Sequence, residues 1–265
     1  MHVWQSEVDR LQTYTKADIQ QKLRPSFDVL DFNEKRIFLD IACSLIGENK
    51  DIVASVLGNG NSFAYADMEV LVDKSLITIS RDDNSLQMHE LIRSMARRII
   101  HDEFVVKNVW SRLWNLSEVG NELSKNKAIE AVEVLDLFLK ESSQNIHIDG
   151  DVFEDMKNLR ILKICEVELG KVWYQFALKP MDSKVTYFGR LKSLSNKLRL
   201  LYWHGCPFEF PSDFYPKNIV AIDLSYSHLR TLWTTPKCFG RLKVMKLRHF
   251  ATRDSAMRLC HWHCR

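Results

Sequence analysis

Apolar residues recur at helical spacing through most of the first part of the chain, with one interruption of shorter period. Ile37, Phe38, Ile41, Ala42 and Leu45 predict a helix, with Asn33 ahead of it as N-cap. Val53, Val56 and Leu57 predict a short helix ended by Gly58-Asn59-Gly60, and Met68, Leu71, Val72 and Leu76 predict another. The period then drops to two. Leu76, Thr78 and Ser80 alternate with Ile77 and Ile79, Arg81-Asp82-Asp83-Asn84 makes a turn, and Ser85-Leu86-Gln87-Met88 returns as the second arm of a hairpin. Beyond it Met88, Leu91, Ile92, Met95, Ala96, Ile99 and Ile100 trace one amphipathic stripe. Helices, a hairpin and a further helix are the order of a winged-helix-like domain, placed at residues 1–103. Residues 104–131 read as a helical connector, with Ser117 capping a run broken at Lys125-Asn126-Lys127.

From residue 132 a repeat takes over. Val132-x-x-Leu135-x-Leu137, Leu159-x-x-Leu162-x-Ile164, Leu198-x-x-Leu201-x-Trp203, Ile219-x-x-Ile222-x-Leu224 and Leu242-x-x-Met245-x-Leu247 share one L-x-x-L-x-L template. Three of the four intervals between starts fall in the range of leucine-rich repeats, and the longest, from 159 to 198, implies an insertion or a degenerate unit. The predicted fold is therefore mixed α/β: a helical winged-helix-like domain followed by an incomplete leucine-rich-repeat solenoid over residues 132–250, then an atypical tail over 251–265. Each repeat would give one short parallel strand. Its three apolar positions would point inward, and Asp136, Lys163, Tyr202, Asp223 and Lys246 would form an exposed central column. Charges around an aromatic suit a protein-binding face, and they equally suit a solvated sheet surface.

Charge separates the two halves. Residues 1–103 carry 12 Lys/Arg against 17 Asp/Glu, a balance of −5, whereas residues 132–265 carry 21 against 14, a balance of +7. An acidic front half is a poor match for phosphates, which weighs against DNA binding by a winged helix. Arg93, Arg97 and Arg98 are explained as well by surface pairs along a helix. No apolar run approaches the ~18–20 residues of a membrane-spanning helix, and the first residues, Met1-His2-Val3-Trp4-Gln5-Ser6-Glu7, lack the pattern of a secretory signal. Six cysteines, mostly inside apolar segments, read as reduced buried thiols.

Several motifs in order make a family resemblance. Phe38-Leu39-Asp40-Ile41-Ala42-Cys43, Asp73-Lys74-Ser75-Leu76-Ile77-Thr78-Ile79, Leu86-Gln87-Met88-His89-Glu90-Leu91-Ile92, Arg112-Leu113-Trp114-Asn115, Phe153-Glu154-Asp155-Met156-Lys157-Asn158-Leu159-Arg160, Leu198-Arg199-Leu200-Leu201-Tyr202-Trp203-His204-Gly205, Pro211-Ser212-Asp213-Phe214 and Asp223-Leu224-Ser225-Tyr226-Ser227 are similar to segments of plant disease-resistance receptors of the Toll/interleukin-receptor-type nucleotide-binding leucine-rich-repeat class. The resemblance runs from about residue 4 to 250 and implies a fragment of an intracellular innate-immune receptor, cytoplasmic and also nuclear. In that family a Met-His-Asp motif sets its histidine against the phosphates of bound ADP in a nucleotide-gated switch. By position that histidine is His89, here followed by Glu90, whose carboxylate reaches one methylene further than an aspartate. A histidine between a hairpin and a helix suits an anion, because free backbone N–H groups and the helix dipole point the same way.

The resemblance also implies protein partners for the repeats: a pathogen effector, a guarded host protein or a full-length receptor. ADP is the cofactor of the intact family member. No G-x-x-x-x-G-K-[ST] loop occurs in these residues. One phosphate contact contributes ~1–3 kcal/mol, whereas micromolar affinity needs about 8 kcal/mol, so this chain alone is expected to bind little or no nucleotide. An alternative is a truncated, non-enzymatic adaptor that binds another protein through its repeats without nucleotide. No triad-like signature such as G-x-S-x-G is present, so no catalytic residue is assigned. Cys260-His261-Trp262-His263-Cys264 is too compact to wrap one zinc ion, so no metal site is assigned.

Overall fold

The computed structural model describes residues 16–58, 63–114, 129–138, 146–165, 185–227, 229, 233, 237–248 and 260–261. Helix α1 spans Lys16–Asp28, and α2 spans Phe32–Asp40. The N-cap of α2 is Asp31, not Asn33. Its carboxylate accepts from Glu34 N, while Glu34 Oε2 accepts from Asp31 N, so two donors at the helix start are satisfied reciprocally. Glu34, three residues after Asp31, is the signal that decides between the two candidates.

After Asp40 the helix widens into a π-turn, Ile41–Leu45, whose five residues are all buried. Gly47, at a φ of 84°, turns the chain into Glu48. Helix α3, Lys50–Leu57, is capped by Asn49, whose side chain accepts from Asp51 N. Helix α4 spans Phe63–Asp73. Strands β1, Thr78–Ile79, and β2, Leu86–Gln87, pair antiparallel as the expected hairpin. Helix α5, Glu90–Lys107, buries Met95, Ala96, Ile99 and Ile100 and ends at Asn108 in the left-handed conformation. These buried positions lie on the predicted stripe.

The second part is built on one six-stranded sheet, ordered β11-β9-β8-β6-β4-β3, in which every pairing is parallel. Its strands are β3 Arg112–Leu113, β4 Val134–Phe138, β6 Ile161–Cys165, β8 Leu200–Trp203, β9 Ala221–Asp223 and β11 Val244–Lys246. Neighbours in the sheet follow one another along the chain without reversal. The central apolar position of the template runs in register through Leu135, Leu162, Leu201, Ile222 and Met245. The next residue of each strand aligns Asp136, Lys163, Tyr202, Asp223 and Lys246 in one column. Strand β3 lies in the segment read as a helical connector; Ser117 and Lys125-Asn126-Lys127 lie outside the described residues.

Two further parallel pairs join strand β5, Ile146–Asp149, to β7, Val185–Phe188, and β10, Lys237–Cys238, to β12, Cys260–His261. One hydrophobic cluster runs without a break from Phe27 and Phe38 in the helical part to Trp203 and Trp233 in the sheet part. Trp203 is fully buried against Phe153, Tyr187 and Phe208. Cys43, Cys165 and Cys206 are buried free thiols, as expected, and burial raises the pKa of each. Cys238 departs from that expectation and is disulfide-bonded.

Candidate functional site: a polar seam between the helical domain and the sheet

The predicted column does not face solvent. Lys163 is 4% exposed, Tyr202 3% and Asp223 0%: the π-turn packs against β4, Glu48 in the loop into α3 covers Lys163 and Tyr202, and Asp223 is closed in by His204 and Ser225. Asp136 and Lys246 are half-buried. Alternation along a strand identifies which residues share a face, but what covers that face is set by another part of the chain.

The centre of the seam is Asp40, the last residue of α2. Its Oδ1 accepts from Arg112 Nε at 2.8 Å, and its Oδ2 from Arg160 Nη2 at 2.9 Å. Arg160 reaches on to Glu133 at 2.6 Å, and Arg112 also donates to Ser111 Oγ and to the Arg36 carbonyl. Burial alone would raise the Asp40 pKa, but the guanidinium groups of Arg112 and Arg160 outweigh it and hold the carboxyl below its ordinary range. A charge inside an otherwise apolar helical stripe is the sequence signal for such a partner.

A second cluster sits on the column itself. Glu48 accepts from Lys163 Nζ at 2.7 Å and from the Tyr202 hydroxyl at 3.3 Å, and Lys163 Nζ lies 5.2 Å from the centre of the Tyr202 ring. Burial would lower the Lys163 pKa, yet the carboxylates of Glu48 and Asp136 raise it above its usual value. Further along the seam Arg199 donates to the carbonyls of Val56 and Leu57 at the end of α3, where the helix dipole is negative. Lys243 donates to Ser55 Oγ at 2.6 Å.

His89 stands where the sequence placed it, between the hairpin and α5, and is exposed. It is the N-cap of that helix: its Nδ1 accepts from Leu91 N at 3.2 Å. With Nδ1 turned to the backbone, the Nε2 edge of the ring is left to face other groups beside the helix N-terminus. One turn on, Arg93 donates to the Ala42 carbonyl of the π-turn at 3.2 Å, and Arg98 pairs with Asp102 at 2.9 Å. These two arginines, weighed above as DNA contacts, thus have partners inside the fold.

Among the described residues no group of three or more His, Cys, Asp or Glu could hold a metal ion. Of Cys260-His261-Trp262-His263-Cys264, only the backbone of the first two is described; the other three lie outside the described residues. No described helix is long and apolar enough to cross a membrane.

The helices, hairpin and long final helix form a winged-helix domain: residues 31–103 match the family described as "Disease resistance protein Roq1-like, winged-helix domain". The rest of the chain shares the relationship. It is 34% identical over 245 residues to Disease resistance protein RPP2A of Arabidopsis thaliana, covering 91% of this chain and 18% of that protein. It is 36% identical over 243 residues to Disease resistance protein RRS1B of Arabidopsis thaliana (86% and 17%), and 31% over 280 residues to Disease resistance protein RPV1 of Vitis rotundifolia (97% and 20%). The chain is a relative of plant disease resistance proteins, as its motifs indicated, and it spans about a fifth of the length of the relatives it matches.

Proposed function

We propose that the chain is a segment of an intracellular plant innate-immune receptor, acting in the cytoplasm and nucleus. In this reading the winged helix is part of an ADP-gated switch, and the parallel sheet is the start of a leucine-rich-repeat sensor that takes protein partners. The observation that carries it is the direct succession of a Roq1-like winged helix by in-register L-x-x-L-x-L strands in uninterrupted order. His89 is the residue proposed to meet the ADP phosphates in the intact receptor. The geometry supports this role through the exposed His89 ring at the N-terminus of α5. Loss of that contact would lower the affinity of the closed state for ADP and shift the population toward the open one. No residue of the chain is proposed to be catalytic.

The experiment is His89→Ala in a complete receptor carrying this segment, scored by ADP retention and by defence signalling. Faster ADP release with raised signalling is expected; unchanged ADP retention would overturn the role of His89. The adaptor reading, with nucleotide irrelevant, needs Tyr202 and Asp223 open to a partner, and both are buried, Tyr202 against Glu48 and Asp223 against Ser225 and His204.

A further inference from the structure

Two arginines at the seam carry charge that no described carboxylate pairs. Arg36 lies one turn before Asp40 on α2, and Arg199 immediately precedes β8. They flank one contact: Asp40 Oδ2 accepts from Arg160 Nη2, and the Arg160 carbonyl accepts from Arg199 N. Arg112 and Arg160 are paired with Asp40 and Glu133, whereas among the described residues neither Arg36 nor Arg199 has an ion-pair partner, although both are half-buried. Arg199 commits only Nη1, to the carbonyls of Val56 and Leu57. Arg36 Nε is buried with no hydrogen-bond partner, and so is Arg160 Nη1, on a side chain 8% exposed. Burial, then the guanidinium groups of Arg160, Arg36 and Arg241, push the Arg199 pKa down to about 10, with Asp40 offsetting part of the shift. Asp67 on α4 answers first to burial, Asp31 and Glu34 and only then to Arg36, with which it makes no ion pair. Half-buried cations crowded without a counter-ion are costly, and an anion completes them.

We propose that Arg36 and Arg199, with Arg160 Nη1 beside them, form a binding site for a phosphate-type oxyanion free in solution. A carboxylate has two oxygens, and at Asp40 one goes to each of two arginines. Three donor groups call for at least three oxygens, which a tetrahedral phosphate supplies and a planar carboxylate does not. The open donors come from two elements, α2 and the residue that leads into β8, so the bound anion joins them. The site owes nothing to His89 or to the sensor reading, and its test stands apart from theirs.

Titration calorimetry of the full chain with inorganic pyrophosphate tests it, with acetate as the planar control. Binding of pyrophosphate is expected, weakened about tenfold or more by R36M and by R199M. R98A, which removes an exposed arginine already paired with Asp102, should leave it nearly unchanged. R199K keeps the charge and loses the fork, so its affinity should fall between those of the parent and R199M. The Arg36 side chain makes no hydrogen bond among the described residues, so R36M should fold. Pyrophosphate should raise the unfolding temperature of the parent and not that of R36M. The proposal is overturned if the parent does not bind, if R36M and R199M bind as the parent does, if R98A loses as much, or if acetate binds as tightly. A phosphoserine peptide that binds more tightly than pyrophosphate also overturns it, since the phosphate would then belong to a partner protein.

Discussion

Asp40 and Arg160 lie 120 positions apart in the sequence and meet at 2.9 Å, with the aspartate fully buried. The other oxygen of that carboxylate is held by Arg112, 72 positions away. One side chain thus ties the end of α2 to β3 and to the residue that leads into β6. The charges balance over the cluster, since Glu133 also pairs with Arg160. Removing the central anion leaves buried Arg112 without a counter-charge and Arg160 with Glu133 alone, the costly way to break such a network.

Asp40→Ala is therefore expected to destabilise the chain by about 3–5 kcal/mol. The combined change Asp40→Leu, Arg112→Met and Arg160→Met removes the buried charges together and should recover most of that loss. Urea denaturation midpoints at neutral pH check both. If the single substitution costs no more than an exposed aspartate would, the cluster does not hold the seam.

Much of this arrangement was legible locally, and the misses share one cause. The L-x-x-L-x-L template specified the strands and the column because a period of two states which residues share a face. It could not state that Lys163 and Tyr202 are covered, since the cover is Glu48, 115 and 154 positions away. Strand β3 has only two residues and no template, so Arg112–Leu113 passed as connector. Asp40 was not singled out, because its partners, Arg112 in β3 and Arg160 just before β6, are brought near only by tertiary packing. His89 was found by motif; its role as cap follows from the backbone around it.

The start of α2 gives a sharper test of local physics. Asp31→Ala removes one arm of the capping box and should cost about 1 kcal/mol, whereas Asn33→Ala should change stability by only a few tenths. Thermal unfolding of the two variants distinguishes them. A larger loss at Asn33 would move the cap back to the residue expected from sequence.

His89 should matter to the chain even without nucleotide, because its Nδ1 satisfies the Leu91 N–H. His89→Ala is expected to cost about 0.5–2 kcal/mol, and His89→Asn, itself a good N-cap, to cost less. Denaturation of the chain in nucleotide-free buffer checks this. The comparison separates the two jobs of the residue, since Asn restores the cap but has no Nε2–H to offer a phosphate.

The seam also sets a pH dependence in which two aspartates pull in opposite directions. Asp40 titrates below its ordinary value, so its contribution is present at neutral pH and is lost as pH falls below about 4. Asp136 is the reverse case. Burial raises its pKa to about 6, and Lys163 and Arg93 offset only part of that. Between about 4 and 6 the folded chain holds a proton that an unfolded aspartate has already released, so stability falls as pH rises through that window and is level above it. A shift of about two units corresponds to at most about 3 kcal/mol. Asp136→Asn should therefore be more stable than the parent at pH 7 and equal to it near pH 4, measured as the difference in urea midpoint across the range. A difference that does not change with pH would mean Asp136 ionises normally beneath the winged helix.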